Sequence, residues 1–312
     1  MQTPIRIGTR ESQLAVWQAT RVKQLLEKEG IPAVLVFIKS EGDIDLKTPL
    51  YEMNVQGIFT RSLDIALLNH TIDIAVHSMK DVPTRLPEGV QQAAVLKRGP
   101  VHDLLVYKQD LDFLLRKEQE VRDNPVRIAT SSIRRKAQWL HKYPSHEIHN
   151  LRGNVNTRLR KLSEESWDAA IFAQAGLERI GQRPEKSIVL DWMLPAPAQG
   201  AILVACRVED EESFAFCQPL DDPETALCTK IERDFLRSLL GGCSTPISAL
   251  AEIEDGDVYF SGQLLSLDGR QNVGIEKILP VGIATGIGKI AGEELLERGG
   301  QAIADSIRAN TP

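Results

Sequence analysis

The chain has 312 residues, 42% of them hydrophobic and 26% charged, with a formal net charge of −6. That is the composition of a globular protein long enough for two or three cores. No apolar run reaches the roughly 20 residues that cross a bilayer, and an aromatic content of 5% argues against a broad base-stacking surface. The four cysteines (Cys206, Cys217, Cys228, Cys243) form no C-x-x-C pair and have no histidine at ligand spacing, so neither structural zinc nor a disulfide framework is expected. No metal site is expected either.

The opening "MQTPIRIGTR" enters a strand pattern at once. This leaves no room for a signal or transit peptide, and the expected compartment is the cytoplasm. Ile5 and Ile7 mark a strand. Leu14, Val22, Leu25 and Leu26 recur at helical spacing behind it, with Ser12 or Thr9 able to cap the helix. Further along come a strand over 33–39, a helix over 58–69, a buried-strand run "IDIAVHS" and a strand over 90–96. "PVRIATSSI" at Pro125 then echoes "PIRIGTRES" at Pro4. Ile133, Ala137 and Leu140 supply its helix, followed by a strand over 146–151, a helix over 155–163, and "WDAAIFA", which echoes "IDIAVHS". Each echo of the latter pair is headed by an aspartate, Asp73 or Asp168.

Two α/β lobes of similar plan therefore stand in tandem. "PAQGAILVACR" reads as a strand returning to the first lobe, and Cys206 within it as a buried small hydrophobe. After "PLDDPETA" a helix is expected from Pro223 to Leu240, ending at a glycine pair. Hairpin strands turning at Asp255-Gly256 and Asp268-Gly269 follow, with a last helix near 284–298. The expected domains are 1–98 with 200–219, 103–196, and an α+β domain over 223–312. The string "GIATGIGKIAG" fails as a phosphate loop because Ile290, not Ser or Thr, follows Lys289.

Charge is unevenly spread. From Arg127 to Lys161 there are nine Lys/Arg against the single acid Glu147, with His141, His146 and His149 added. This is either a local anion field or a solvated basic face. Arg10, Arg134, Arg135, Arg152, Arg158 and Arg179 sit in short strings most of which fall at strand ends or helix starts. Strand carboxyl ends and helix N-termini suit carboxylates and phosphates, and arginine reads such groups with a permanent planar charge. For any one arginine a surface ion pair is the simpler account; six at such positions imply a ligand with several anionic groups. Asp81, beside Lys80, would either stabilise or shuttle a positive charge or N–H proton on that ligand, or cap a helix and pair with Lys80. Cys243, behind Gly241 and Gly242, is open to reading as an inert thiol, a metal ligand or a nucleophile.

"TRESQLAVWQA", "DIAVHSMKDVP", "TSSIRRKAQ", "LRGNVNTRL", "AGLERIG", "PAPAQGA" and "GGCSTP" together resemble the porphobilinogen deaminases, in that family's order and across essentially the whole chain. The resemblance implies an α/β fold, with two periplasmic-binding-protein-like lobes of mixed sheets and a small C-terminal α+β domain. It implies hydroxymethylbilane synthase activity in tetrapyrrole and haem biosynthesis. Four porphobilinogens are deaminated and condensed on a dipyrromethane cofactor held by a thioether, here to Cys243, and hydrolysis then releases the linear tetrapyrrole. By the same resemblance Lys80, Asp81, Thr130, Ser131, Arg134, Arg135 and Arg158 hold the cofactor, while Arg10, Ser12, Arg152, Arg158 and Arg179 hold substrate and growing chain. Asp81 is the catalytic group. The implied enzyme is a monomer whose partner is porphobilinogen, with no nucleic acid and no membrane.

The sequence departs from the family pattern in "YEMNVQG", which puts Glu52 and Gln56 where lysines are usual. It departs again in "RSLD" at Arg61–Asp64 and in "GPVHD", with His102 at a common arginine position. Two other readings of the same residues are a non-catalytic bilobal anion-binding or effector-sensing protein and a nucleic-acid protein using 127–161. Low aromatic content and overall acidity oppose the second.

Overall fold

The computed structural model describes residues 3–39, 60–108, 110, 114, 125–239 and 245–309. In chain order, β1 (Ile5–Thr9), α1 (Gln13–Lys28), β2 (Ala33–Phe37), α2 (Arg61–Leu68), β3 (Ile74–Ser78) and β4 (Val90–Leu96) come first. Then follow β5 (Asp103–Tyr107), β6 (Arg127–Ala129), α3 (Ile133–Lys142), β7 (Glu147–His149), α4 (Val155–Glu164), β8 (Ala169–Ala173), α5 (Gln174–Arg179) and β9 (Ser187–Leu190). The last elements are β10 (Ile202–Arg207), α6 (Glu211–Cys217), α7 (Pro223–Ser238), β11 (Ile247–Glu254), β12 (Asp257–Leu265), β13 (Asn272–Pro280), α8 (Ile287–Leu295) and α9 (Gln301–Ala309).

Two compact units result. One holds the described residues up to Pro100 together with Ala198–Thr229; the other holds those of Val101–Pro197 and Lys230–Pro312. The first contains a five-stranded sheet of order β2-β1-β3-β10-β4, and the second contains one of order β7-β6-β8-β5-β9. In the first sheet β2, β1 and β3 are parallel, and β10 runs antiparallel to both β3 and β4. In the second, β7, β6 and β8 are parallel, and β5 runs antiparallel to both β8 and β9. The plans match strand for strand, so the sequence echoes mark equivalent strands: β1 with β6, and β3 with β8.

The paired aspartates explain why the echo persists. Asp73 Oδ2 accepts the backbone N–H of Arg6 at 2.8 Å, and Asp168 Oδ2 accepts that of Arg127 at 2.8 Å. Each carboxylate thus fastens the entry of the third strand to the entry of the second. Backbone N–H groups of Asp73 and Asp168 return bonds to the carbonyls of Arg6 and Arg127, both at 2.9 Å.

The sheets are covered on both faces, and successive residues alternate between cores. In β3, Ile74 and Val76 join Ile7, Val22, Leu26 and Val204 on one side, while Ala75 joins Leu63, Leu67 and Ile72 on the other. In β8, Ile171 faces Trp139 and Ile128, and Phe172 faces Leu151 and Leu177. Cys206 and Cys217 lie inside the first of these cores, and burial pushes the Cys217 thiol up to about 12.

The C-terminal part is the antiparallel meander β11-β12-β13 with helices packed on it. Phe235 of α7 meets Phe260 edge-on at 5.2 Å between ring centroids. The glycine string that failed as a phosphate loop has a packing role. A Cβ at Gly288 would collide with the Ile231 carbonyl of α7, and one at Gly292 with Ser238 Oγ. The final helix departs from the expected 284–298: α8 stops at Leu295, the chain turns at Gly299 (φ 110°), and α9 follows. Sequence periodicity also gave no sign of β5 and β9.

Two buried histidines make the fold acid-sensitive. Burial pushes His77 of β3 and His146 down to about 4; His77 also feels Arg10, and the His146 ring takes the indole N–H of Trp139 at 3.2 Å on Nδ1. Because both folded values lie below the ordinary 6.5, the unfolded chain binds more protons between about pH 6.5 and 4. Stability is then fully present above pH 6.5 and falls as pH drops through that window, by on the order of 3 kcal/mol per histidine. Urea midpoints measured against pH should show this slope, and His146→Gln should roughly halve it, leaving the His77 share. An NMR titration placing both histidines above 6.5 would contradict it.

Candidate functional site

In the first unit, β1 and β3 lie side by side and parallel, so Arg10, Ser12, Lys80 and Asp81 all follow the carboxyl ends of adjacent strands. Ser12 is the N-cap of α1, its Oγ accepting from the Ala15 N–H at 3.4 Å. After β3 the chain makes a single 3-10 turn, Met79–Asp81, and Met79 is buried among Val82, Val95, Ala198 and Leu203. The Met79 N–H donates to the Ala201 carbonyl at 3.1 Å, which ties the turn to the "PAQGA" segment. Gln199 in that segment is buried; its Oε1 accepts from Lys80 Nζ at 3.2 Å and its carbonyl from Arg98 Nε at 2.9 Å. With Met79 anchored and Lys80 aimed at Gln199, Asp81 stands exposed.

In the second unit, Thr130 and Ser131 follow β6 and lead into α3. The Ser132 N–H donates to Thr130 Oγ1 at 3.2 Å, and Ser132 Oγ caps the helix by accepting from the Arg135 N–H at 3.4 Å. Ser131 Oγ accepts from the Leu151 N–H at 2.9 Å and lies 2.5 Å from Asn150 Oδ1, joining the exits of β6 and β7. Arg152 is buried in the loop after β7, and Arg158 Nε of α4 donates to the Gly153 carbonyl at 2.7 Å. Arg179 closes α5 rather than opening a helix, and burial pushes its guanidinium down to about 10, still cationic at neutral pH.

The most unusual feature is a buried triad. Arg134 and Arg135, each about 5% exposed, both donate to Asp103, which is fully buried. Arg134 Nη2 lies 2.7 Å from Oδ2, and Arg135 Nη2 lies 2.8 Å from Oδ1. Arg134 Nη1 also donates to the Leu194 carbonyl at 2.8 Å, and Arg135 Nη1 to the Ile171 carbonyl at 3.0 Å. Two cations share one anion, so one positive charge is left over. Burial pulls the Arg134 guanidinium below its ordinary value; Asp103 opposes that and Arg135 adds to it. Arg134 Nε and Arg135 Nε are buried without a hydrogen-bond partner. Such atoms are uncommon and point to a missing acceptor.

Asp103 was not among the sequence candidates. The clue was the acid in "GPVHD" directly ahead of the apolar "LLVY". The basic stretch 127–161 is divided: Arg134, Arg135 and Arg152 turn inward, while Lys136, Lys142 and Arg160 are solvated. Among the described residues no cluster of histidine, cysteine and acidic side chains could hold a metal, and no helix is long and apolar enough to cross a membrane. Cys243, Glu52 and Gln56 lie outside the described residues.

A dipyrromethane carries several carboxylates, and the residues present fit such a group. The triad offers a surplus positive charge and unmet guanidinium N–H donors, which take carboxylate oxygens with good geometry.

Residues 5–215 match the family model described as porphobilinogen deaminase, dipyromethane cofactor binding domain, and residues 226–297 match the porphobilinogen deaminase C-terminal domain. A porphobilinogen deaminase of Pelobacter propionicus is 40% identical over 310 residues, covering 97% of each chain. One of Syntrophobacter fumaroxidans is 40% identical over 309 residues, again covering 97% of each. A probable porphobilinogen deaminase of Methanocaldococcus jannaschii is 44% identical over 80% of this chain and 84% of its own. Among solved structures, a probable amino-acid ABC transporter extracellular-binding protein of Bacillus subtilis has a TM-score of 0.41 and 14% identity, over 70% of this chain and 90% of that one. With both family models matched along nearly its full length, the chain belongs to the porphobilinogen deaminase family.

Proposed function

We propose that the chain is a hydroxymethylbilane synthase, which deaminates four porphobilinogen molecules and joins them head to tail before releasing the linear tetrapyrrole. The observation that carries this reading is the Arg134–Arg135–Asp103 triad within a segment that matches the family's cofactor domain. When bound, the dipyrromethane supplies a free pyrrole α-carbon as the nucleophile on which the chain is built. Arg134, Arg135, Lys80, Thr130, Ser131 and Arg158 hold its acetate and propionate groups in this reading. Arg10, Ser12, Arg152, Arg158 and Arg179 hold those of porphobilinogen and the lengthening product.

Asp81 has the one exposed carboxylate in the turn after β3. It balances the positive charge that develops on porphobilinogen as ammonia leaves, and it accepts a hydrogen bond from a pyrrole N–H. Cys243 is the proposed attachment point. Cys206, Cys217 and Cys228 support this indirectly: all three are buried, and the raised thiols of Cys206 and Cys217 make poor nucleophiles. The scheme needs neither nucleic acid nor a second subunit, and its proposed setting is the cytoplasm. The three-domain division at 1–98 with 200–219, 103–196 and 223–312 is part of the same proposal.

Intact-mass measurement tests the reading. Protein made in a porphobilinogen-competent host should carry a two-pyrrole adduct, and Cys243→Ser should carry none. Loaded wild-type protein given porphobilinogen should yield uroporphyrin absorbance after acidification. An adduct without turnover would favour the non-catalytic binder, and absence of any adduct would sink the cofactor assignment.

A further inference from the structure

We propose that Gln138 is a positioning residue that fixes the register between the arginine pair and β11, the strand that begins four residues after Cys243 in the sequence. The inference rests on the functional reading above.

Gln138 lies one helical turn beyond Arg134 and Arg135 on α3 and is 4% exposed. A buried carboxamide must place its N–H groups and its oxygen, and this one places all of them. Its Nε2 donates to the Leu194 carbonyl at 2.9 Å and to Ser248 Oγ at 2.8 Å, while its Oε1 accepts from the Leu194 N–H at 2.8 Å. Leu194 is therefore gripped at both backbone atoms, and its carbonyl is the same one that receives Arg134 Nη1. Ser248 is fully buried and is the second residue of β11. The next residue, Ala249, donates its N–H to the Pro195 carbonyl at 3.2 Å.

These bonds make one continuous link, from Arg134 through Leu194 and Gln138 to the start of β11. The opposite end of α3 is tied to the same C-terminal sheet. His141 Nδ1 is 2.7 Å from the Gly269 carbonyl in the β12–β13 turn. Gly269 lies so close to α3 that a Cβ there would meet the Ala137 carbonyl. The helix presenting the two guanidiniums is thus fastened twice to the sheet whose first strand begins four residues after Cys243 in the sequence. A covalently anchored primer whose carboxylates are gripped elsewhere needs that spacing held constant while the chain grows. Small misplacements of a bound reactant cost tenfold to about a hundredfold in rate, and one buried carboxamide serving three partners is a means of preventing them.

The test uses full-length protein made in a host unable to supply porphobilinogen, with Gln138→Leu and the milder Ser248→Ala beside wild type. Thermal midpoint, rate of adduct acquisition by intact mass after porphobilinogen is added, and kcat and KM of the loaded protein are all read. Both variants should unfold cooperatively, acquire the adduct about tenfold or more slowly, and lose kcat with KM for porphobilinogen little changed. Variants that lose thermal stability but load and turn over like wild type would overturn the inference, since Gln138 would then be merely structural. A wild-type protein that never gains the adduct would overturn the functional reading and this inference with it.

Discussion

Asp103→Ala should destabilise the protein by about 3–5 kcal/mol, more than loss of either arginine it holds. The carboxylate is fully buried and accepts from two guanidiniums, so its removal leaves two buried cations side by side with no anion between them. Removing one arginine has the opposite bookkeeping. Arg134→Met or Arg135→Met leaves a one-to-one pair, electrically neutral, with an apolar chain filling the vacated volume. Those variants should lie within about 1.5 kcal/mol of wild type in stability. Their cost should fall on ligand binding, because the surplus charge that would attract a carboxylate is gone. Denaturant midpoints give the ordering directly. If either methionine variant proved as unstable as Asp103→Ala, the second cation would be structural and the triad would not carry a binding role.

For Asp81→Asn the expectation is reversed, with a rate loss of about a hundredfold to ten-thousandfold and stability within about 0.5 kcal/mol of wild type. Asp81 is exposed, and the turn that bears it is anchored by its neighbours Met79 and Lys80 rather than by its own side chain. An asparagine preserves shape and one acceptor oxygen but cannot balance a developing positive charge. The variant should still acquire its two-pyrrole mass if cofactor assembly tolerates slow chemistry over hours of expression. Rapid-quench measurement of the first condensation isolates the step. A rate near wild type would remove Asp81 from catalysis, and a large drop in thermal midpoint would recast it as structural.

These two aspartates also show what a sequence can and cannot display. The position of Asp81 was legible because it sits in a distinctive string directly after an apolar strand. The paired lobes were legible because "PIRIG" and "PVRIA" recur, each ahead of a helical pattern; Ser12 and Ser132 cap those helices. Asp73 and Asp168 were visible as strand headers, but their grip on the neighbouring strand's backbone was not, since it links residues 67 and 41 positions apart. Asp103 was missed for the same reason: its partners are 31 and 32 residues away, and a single acid at the head of a strand has no periodicity to betray it. Strands β5 and β9 escaped because their places come from antiparallel pairing, β5 with the distant β8 and β9 with β5. The glycine string, rejected as a phosphate loop on its spacing, owes its small residues to crowding between α7 and α8, a contact between distant segments that no local pattern displays.

The exchange of strands between otherwise matching sheets has a consequence for the growing chain on the ribosome. The fourth place in the sheet of the second unit is filled by β5, which is synthesised before its neighbours β8 and β9. That sheet can close as soon as Leu190 has emerged. In the first unit the same place belongs to β10, which separates β4 from β3 and is made last of the five. The sheet that begins with the first residues of the protein therefore stays divided until Arg207 is available, after its partner is complete. Nascent chains halted before residue 202 would carry β4 with no strand to pair it to, an open edge of the kind that recruits chaperones or other chains. The lobe that starts first is the one that finishes last.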